Sequence, residues 1–407
     1  MEIERILESI VLELKSNMAN GRYKVKIDSI LVCYFYSLYR NDLKFFEDGK
    51  TELEQLLSKI NLQKIPMGTV YGYILLIYLI DAYEINMEIK DDMIDRIKYF
   101  CLKVVREDYK KTINMISGIY DVLNGISGIL LYFMQLDDLT KHQDFIEEVT
   151  AWLIYKVNND AEGLQAFFIK NDFIINPYIK KLYKEGYIDC GLSHGLIGIG
   201  VVLSKVYKKN ILKFECKNAI EKIKNIYIKY CRSYETGMFP EVIEVNNNIK
   251  IPHYSQRVSW CYGALGILRS LNIIAKNIED KTLDKFVNEN LEYLYSIDIN
   301  RYLLKCPTFC HGYSGLYLIT YLFSKYIDNN QKLFQLKIEE SKKIIWSMGN
   351  EKNKYYFFTN DIDDSNKKDE ELIDTNYLDG ITSIIISYIS TKIDLEKNFY
   401  LKFLALI

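Results

Sequence analysis

The chain has 407 residues, with 52 basic and 54 acidic side chains, so its formal net charge is −2. Apolar residues make up 49% and charged residues 26%, the balance of a soluble globular protein. A near-neutral charge gives no electrostatic footprint for a nucleic-acid backbone, so we expect no nucleic-acid partner. The longest apolar run, Val70 to Ile80, has 11 residues, well short of the roughly 20 that a membrane-spanning helix needs.

The N-terminus and the cysteines both indicate the cytoplasm. Glu2 and Glu4 occupy positions where a signal peptide carries positive charge. The eight cysteines are spread from Cys33 to Cys310 in a chain long enough to build its own core, so disulfides are not needed for stability. Each cysteine is therefore expected to be a buried apolar side chain, a reactive thiol or a metal ligand.

Five stretches share one pattern, in which Gly-x-x-small is followed by an apolar run. Their first glycines are spaced by 70, 68, 49 and 68 residues, which leaves room for two helices in most intervals. A fainter sixth copy lies at Gly72, where leucine replaces the second glycine, and Ser383 replaces it in the last copy. The five stretches are Tyr120–Phe133, Cys190–Leu203, Ser259–Leu271, Phe309–Phe323 and Asn376–Ile389.

Amphipathic stretches such as Asp91–Arg106 and Ile211–Tyr230 lie between the copies. Buried helices that alternate with amphipathic ones predict an all-α fold, an α/α toroid or two-layer helical barrel. An open helical solenoid is the alternative. We favour the closed ring because the polar residues discussed below need to converge. Glycines three apart share one helix face, and we expect them to let neighbouring helices approach closely.

Two segments, 172–187 and 237–255, interrupt the helical pattern with prolines and turn residues. Within the second, Glu241–Ile251 predicts a hairpin around three consecutive asparagines. Residues 352–366 predict a loop with a short strand, KYYFFT, that ends in an acidic cluster. We interpret 172–187 and 237–255 as small β-containing insertions on a single toroid domain that comprises residues 1–407.

Polar side chains occupy equivalent positions just before the first glycines. His194 and His311, two of only four histidines, each precede a first glycine directly, and Cys261 and Cys310 lie two residues before one. If each copy begins an inner helix at the same rim, these side chains meet at one mouth of the ring. Cys261, Cys310 and His311 then form a thiolate–thiolate–imidazole set that suits Zn²⁺.

Three protein ligands leave a fourth zinc position for water or substrate, as in catalytic zinc sites. Cys306 is a candidate fourth ligand that would close the site, but it lies off the repeat position and Pro307 intervenes. The structural alternative is that the cysteines are small buried side chains at tight helix contacts and that His311 is a cap.

Four further residues are candidates for catalysis. Ser193 stands where two other copies have a cysteine, so an acid or base role suits His194 better than metal binding. Asp121 lies at the same rim, and its alternative role is a helix N-cap. Arg257 could pair with substrate or with a carboxylate, or be a solvated side chain. Tyr262 could donate a hydrogen bond to the site.

These motifs resemble the lanthionine synthetase C-like (LanC-type) lanthipeptide cyclases. The resemblance rests on YDVLNGISG at 120–128, GLSHG at 191–195, WCYG at 260–263 and CHG at 310–312, in the family's order. It implies an α/α toroid, with a small extra domain in bacterial members. By resemblance, the zinc ligands are Cys261, Cys310 and His311, the acid and base residues are His194 and Asp121, and the further active-site residues are Arg257 and Tyr262.

The chemistry implied by the resemblance is addition of a peptide cysteine thiolate to dehydroalanine or dehydrobutyrine, which forms lanthionine or methyllanthionine. His194 would protonate the resulting enolate at Cα, and Asp121 would orient His194 or accept the thiol proton. Nothing in the chain resembles a dehydratase. The implied partners are therefore a dehydrated precursor peptide, a separate dehydratase and a membrane transporter complex, which would hold this cytoplasmic protein at the membrane surface.

Three alternatives stay open. A zinc–thiolate alkylating enzyme of the prenyltransferase kind needs a basic diphosphate pocket, for which the rim offers only Arg257. A glycosidase with Asp121 and Asp379 as paired carboxylates leaves the cysteine–histidine coincidence unexplained. A LanC-like protein that binds zinc or a thiol, or serves as a scaffold, without cyclising anything also fits the sequence, although we favour the enzyme.

Overall fold

Helices make up most of the part of the chain that the computed structural model describes, residues 2–19, 21–85, 88–110, 116–159, 165–174, 176–247, 249–359 and 374–407. In chain order they are α1 (Glu2–Ser16), α2 (Tyr23–Arg40), α3 (Leu43–Lys59), α4 (Tyr73–Ala82), α5 (Glu88–Lys110), α6 (Ser117–Tyr120), α7 (Ile126–Phe133), α8 (Gln143–Asn158), α9 (Pro177–Leu182), α10 (Leu196–Lys208), α11 (Lys213–Lys229), α12 (Ala264–Ile278), α13 (Lys281–Ser296), α14 (Tyr313–Tyr326), α15 (Gln331–Ser347), α16 (Ile381–Ser390) and α17 (Phe399–Phe403).

The long helices alternate between an inner and an outer layer. Helices α4, α7 and α16 are buried along their whole length or nearly so, because they carry apolar or small residues on every face. Outer helices bury one stripe only, as α13 does with Leu283, Val287, Leu291 and Leu294. Helices α2, α4, α7, α10, α12 and α14 each pack on the outer helix that follows, and packing between inner helices runs from α4 through α7, α10, α12, α14 and α16 to α2. No helix in the described ranges is both long enough and apolar enough to cross a bilayer.

Hydrogen bonds between the loops that precede the inner helices run around one rim. In each of four pairs, a backbone N–H of one loop donates to a carbonyl of the next. The loops before α7 and α10 are joined instead by side chains, with Oδ2 of Asp121 2.6 Å from Nδ1 of His194. The Tyr377 hydroxyl of the last loop donates to the Thr69 carbonyl of the first (2.8 Å), so the series closes on itself. The four pairs, donor first, are Thr69 and Leu123 (2.6 Å), Leu192 and Cys261 (2.9 Å), Trp260 and Cys310 (3.2 Å), and Cys310 and Leu378 (3.0 Å). The closed ring is thus confirmed over the open solenoid.

The glycine pairs act differently from our expectation. The first glycine of every copy, including Gly72, is the residue just before its inner helix. A Cβ on the second glycine would meet the preceding loop: at Gly266 it would lie 1.9 Å from the Trp260 carbonyl oxygen. The pair therefore lets the rim loop fold onto the first helical turn, rather than bringing two helices together. In the last copy, the Ser383 hydroxyl accepts from the Phe309 N–H of the neighbouring copy (3.1 Å).

A four-stranded antiparallel sheet is attached to the ring. Its strands are β1 (Phe168–Lys170), β2 (Gly186–Asp189), β3 (Pro240–Asn246) and β4 (Ile249–Tyr254), paired in that order. The second predicted insertion contributes β3 and β4, which form the predicted hairpin, whereas the first contributes only the start of β2 and β1 lies before it. Ile188 and Ile243 lie opposite each other and are buried against the toroid core.

The strand predicted for KYYFFT is wrong. Phe357 makes only an isolated bridge with Gly349, and the described residues around it are turns and bends. Burial of the aromatic side chains explains the pattern better than strand pairing, since Phe357 packs against Trp346 with ring centroids 5.5 Å apart. The acidic cluster that follows begins at residue 361 and lies outside the described residues.

The packing of rim loop on helix predicts the effect of Gly266→Ala. Its methyl group would overlap the Trp260 carbonyl, so we expect the free energy of unfolding to fall by about 1–3 kcal/mol in urea denaturation. Gly118→Ala is the matched control, because a Cβ there meets nothing within 4 Å. Equal stability of the two variants would contradict this interpretation of the second glycine.

Candidate active site at the rim

Cys261, Cys310 and His311 converge at the rim, as the repeat positions predict. Their sulfur and ring nitrogen atoms all lie within 4.8 Å of one another, and all three residues are partly exposed. Cys261 and Cys310 come from successive loops that share the Trp260–Cys310 backbone hydrogen bond. A hydrogen bond from the Cys310 thiol lowers the pKa of Cys261.

The His311 ring is held by two neighbours. Asp379 directly precedes Gly380, the first glycine of the last copy, and its Oδ1 lies 3.0 Å from Nδ1 of His311. Cys306 is hydrogen-bonded with the same ring, and Asp379 and Cys306 together raise the pKa of His311 to about 11. The buried Cys306 sulfur also lies 3.1 Å from the Thr308 hydroxyl. Cys306 therefore contacts His311 but is not one of the three donors of the metal group, the set formed by Cys261, Cys310 and His311.

Asp121 and His194 form a second cluster. Oδ2 of the fully buried Asp121 lies 2.6 Å from Nδ1 of His194, whose side chain is 31% exposed. Oδ1 accepts the backbone N–H groups of Asn124 (2.6 Å) and Gly125 (2.8 Å). Asp121 therefore holds both the imidazole and the loop before α7, but it is not the N-cap of that helix, which is Gly125.

Charges around His194 favour its protonated form. Burial alone would lower the pKa of His194, but the Asp121 hydrogen bond and charge raise it to about 9. Asp189 and Cys261 contribute in the same direction at longer range. The loops that carry His194 and Cys261 are neighbours, since the Leu192 N–H donates to the Cys261 carbonyl at 2.9 Å.

Tyr262 contacts a residue that sequence reasoning missed. Its hydroxyl donates to Oδ2 of Asp189 at 2.7 Å, and the Gly191 N–H donates to Oδ1 at 2.9 Å. Asp189 is buried, and burial raises its pKa to about 6 despite the charge of His194. No repeat signal marks Asp189 because it ends strand β2; the available signal was an acidic residue at the end of an apolar strand, five positions before His194.

Arg257 lies at the edge of this site. Its backbone N–H donates to the Ser255 hydroxyl at 3.1 Å, and its charge opposes the burial that raises the pKa of Glu241. The Arg257 carbonyl lies against Gly263, where a Cβ would come within 2.3 Å of the oxygen. Gly263 has φ +154°, a backbone conformation that favours glycine.

Comparisons with known proteins identify the family. Residues 31–398 match the family described as Lanthionine synthetase C-like protein. The chain belongs to this family. Nisin biosynthesis protein NisC of Lactococcus lactis subsp. lactis is 26% identical over 316 residues, which cover 74% of this chain and 73% of NisC. A solved structure named nisin cyclase aligns with a TM-score of 0.78 at 21% identity over 100% of this chain and 98% of that one. The resemblance and the α/α toroid fold are thus confirmed.

The geometry predicts which cysteines hold metal in this lanthionine synthetase C-like protein. We expect the unsubstituted protein to retain one Zn²⁺ per chain after dialysis, and Cys310→Ala, which removes one of three donors, to lose it. Cys306→Ala should keep one Zn²⁺, as should Cys101→Ala, a buried cysteine on an outer helix. Elemental analysis measures the ratio. Loss of stoichiometric metal from Cys306→Ala would mean that Cys306 is a fourth ligand and that the site is closed.

Proposed function

We propose that this protein is a zinc-dependent lanthipeptide cyclase, which adds cysteine thiols of a peptide to dehydroalanine or dehydrobutyrine in the same peptide. Membership of the lanthionine synthetase C-like family supports the reaction class. The observation that carries the proposal is the convergence of Cys261, Cys310 and His311 beside the Asp121–His194 pair. A thiolate–imidazole donor set and a charged proton donor are the two components that thiol addition to a dehydroamino acid requires.

The donor set fits Zn²⁺. Zinc–sulfur bonds of about 2.3 Å and zinc–nitrogen bonds of about 2.0 Å require donors only a few ångströms apart, and these three lie within 4.8 Å. Metal-binding histidines are commonly oriented by a carboxylate, the position that Asp379 takes beside His311. When bound, Zn²⁺ would lower the pKa of a substrate thiol, so that the thiol reacts as a thiolate at neutral pH.

His194 is the proton donor in this proposal. Addition of sulfur to the β-carbon leaves an enolate, whose α-carbon must take up a proton. Nδ1 of His194 is engaged by Asp121, so Nε2 is the ring atom that delivers the proton. With a pKa of about 9, the imidazole carries that proton at neutral pH. Asp121 has both oxygens occupied and is fully buried, so its role is to orient and stabilise the imidazolium.

The substrate of this reaction is a dehydrated precursor peptide. Dehydroalanine and dehydrobutyrine have to be formed from serine and threonine before sulfur can add. The site proposed here forms a carbon–sulfur bond and moves a proton, so a separate dehydratase must supply the substrate. A membrane transporter as a further partner stays a prediction from the sequence resemblance.

Metal removal tests the function directly. Cyclisation consumes free thiols without changing the mass of the peptide, so thiol trapping followed by mass spectrometry follows the reaction. We expect the zinc-loaded protein to protect the cysteines of a dehydrated peptide, the chelator-treated protein not to do so, and added Zn²⁺ to restore protection. Undiminished activity without metal would contradict zinc dependence. Tight zinc binding with no thiol consumption would instead support the non-cyclising binding or scaffold protein.

The role of His194 predicts a pH dependence. His194→Asn should lower kcat by about 10²- to 10⁴-fold, because the general acid is lost. In the unsubstituted protein, the raised pKa means that the charged donor is present at neutral pH and is lost as the pH rises through about 9. His253→Asn is the control, since His253 pairs with Glu244 on the sheet at 2.8 Å. Ring formation at the unsubstituted rate and stereochemistry in His194→Asn would contradict the assignment.

A further inference from the structure

Asp189 is a buried carboxylate to which the mechanism above gives no task. It ends strand β2, and the chain then leads through Gly191 to His194, so the sheet connects directly to the loop that carries the proton donor. It is only 2% exposed, and both its oxygens accept hydrogen bonds. Burying a carboxylate costs free energy unless hydrogen bonds or opposite charges stabilise it, so the partners of Asp189 indicate its role.

The local sequence makes room for the contact between Asp189 and Tyr262. A Cβ at Gly191 would lie 2.7 Å from the Tyr262 ring, and a Cβ at Gly195 would lie 2.5 Å from Oδ1 of Asp189. Side chains at these two positions would displace the phenol or the carboxylate. The GLSHG segment therefore brings His194 to the rim and also leaves space for two residues from elsewhere in the chain.

The direction of this hydrogen bond determines what Tyr262 can do. Its single hydroxyl proton is donated to Oδ2 of Asp189 at 2.7 Å, so its oxygen is left with acceptor capacity only. Asp189 also lies close enough to His194 for its charge to favour the imidazolium. One carboxylate thus acts on two residues that the proposed reaction uses.

We propose that Asp189 is a positioning residue of the active site, which fixes the Tyr262 hydroxyl as a hydrogen-bond acceptor for the substrate and adds a second negative charge beside His194. The proposal rests on the proposed cyclase function. Asp121 holds the imidazole directly, whereas Asp189 acts through the phenol and through its charge. The acceptor that results suits a donor of the bound peptide, such as a backbone N–H.

Asp189→Asn removes the charge and leaves one oxygen for two donors, so the side chain cannot accept from both Tyr262 and Gly191. In the zinc-loaded protein with a dehydrated peptide, we expect kcat to fall about 10-fold. The NMR titration midpoint of His194, followed in ¹⁵N-histidine-labelled protein with its four histidines, should move to lower pH. Tyr262→Phe should lower kcat to a similar extent with little change in this midpoint. The double variant should be no slower than the slower single variant, since both substitutions act on the same hydrogen bond between Tyr262 and Asp189.

Glu244→Gln is the matched control. Glu244 lies on the adjacent strand β3 and accepts from Nε2 of His253 at 2.8 Å, so the substitution removes a carboxylate that partners another histidine. We expect kcat and the His194 midpoint to match those of the unsubstituted protein. Comparison of Asp189→Asn with Glu244→Gln shows whether the effect requires a carboxylate beside His194 or follows from the loss of any carboxylate of the sheet.

Several results would overturn the proposal. These are an unchanged His194 midpoint in a folded Asp189→Asn variant, or effects of Asp189→Asn and Tyr262→Phe on kcat that multiply in the double variant. If Asp189→Asn does not fold, Tyr262→Phe decides. An unchanged kcat in that variant would mean that the reaction does not use the Tyr262 hydroxyl, so positioning it could not be the role of Asp189. Failure of the unsubstituted protein to consume thiols would contradict the cyclase function instead, and the midpoint comparison would still test the charge of Asp189.

Discussion

The backbone hydrogen bonds between successive rim loops are the constraint on which the rest of the structure depends. Backbone N–H groups link four neighbouring pairs of loops, the Asp121–His194 contact links the loops before α7 and α10, and the Tyr377–Thr69 contact closes the series. Because the loops are equivalent, side chains at the same repeat position point to the same rim. Cys261 and Cys310 come together for this reason, although 49 positions separate them in the chain. The ring therefore brings the residues of the metal group together, and their separation in the sequence does not.

Charge distribution divides the rim into two neighbouring regions with different tasks. On one side, sulfur and imidazole donors face one another and suit a soft cation. On the other, buried carboxylates surround His194 and favour its charged form. Burial strengthens both sets of interactions because little water screens them. In the proposed reaction, the first region would activate the nucleophile and the second would donate the proton.

The repeat made the ring, the inner helices and the metal group predictable from the sequence. Position before glycine is a strong signal, since it identified Cys261, Cys310, His311 and His194 without any structure. Asp189 could not be found this way, because it belongs to a strand whose pairing joins segments far apart in the chain. The second glycines were recognised, but we expected them to contact a neighbouring helix. They lie instead against carbonyl groups of the preceding loop, a contact that no sequence pattern indicates. KYYFFT has strand composition, but side-chain packing on Trp346 decides its conformation.

The attachment of the sheet has a mechanical consequence. Strand β2 runs without a break into the loop of His194, and the Cys190 N–H donates to the Glu241 carbonyl of β3 at 2.9 Å. The loop of His194 is therefore anchored at its start by a strand that is paired on both edges, with β1 and with β3. The hairpin of β3 and β4, which carries the exposed Ile249, is connected with that loop through strand pairing as well as through the chain.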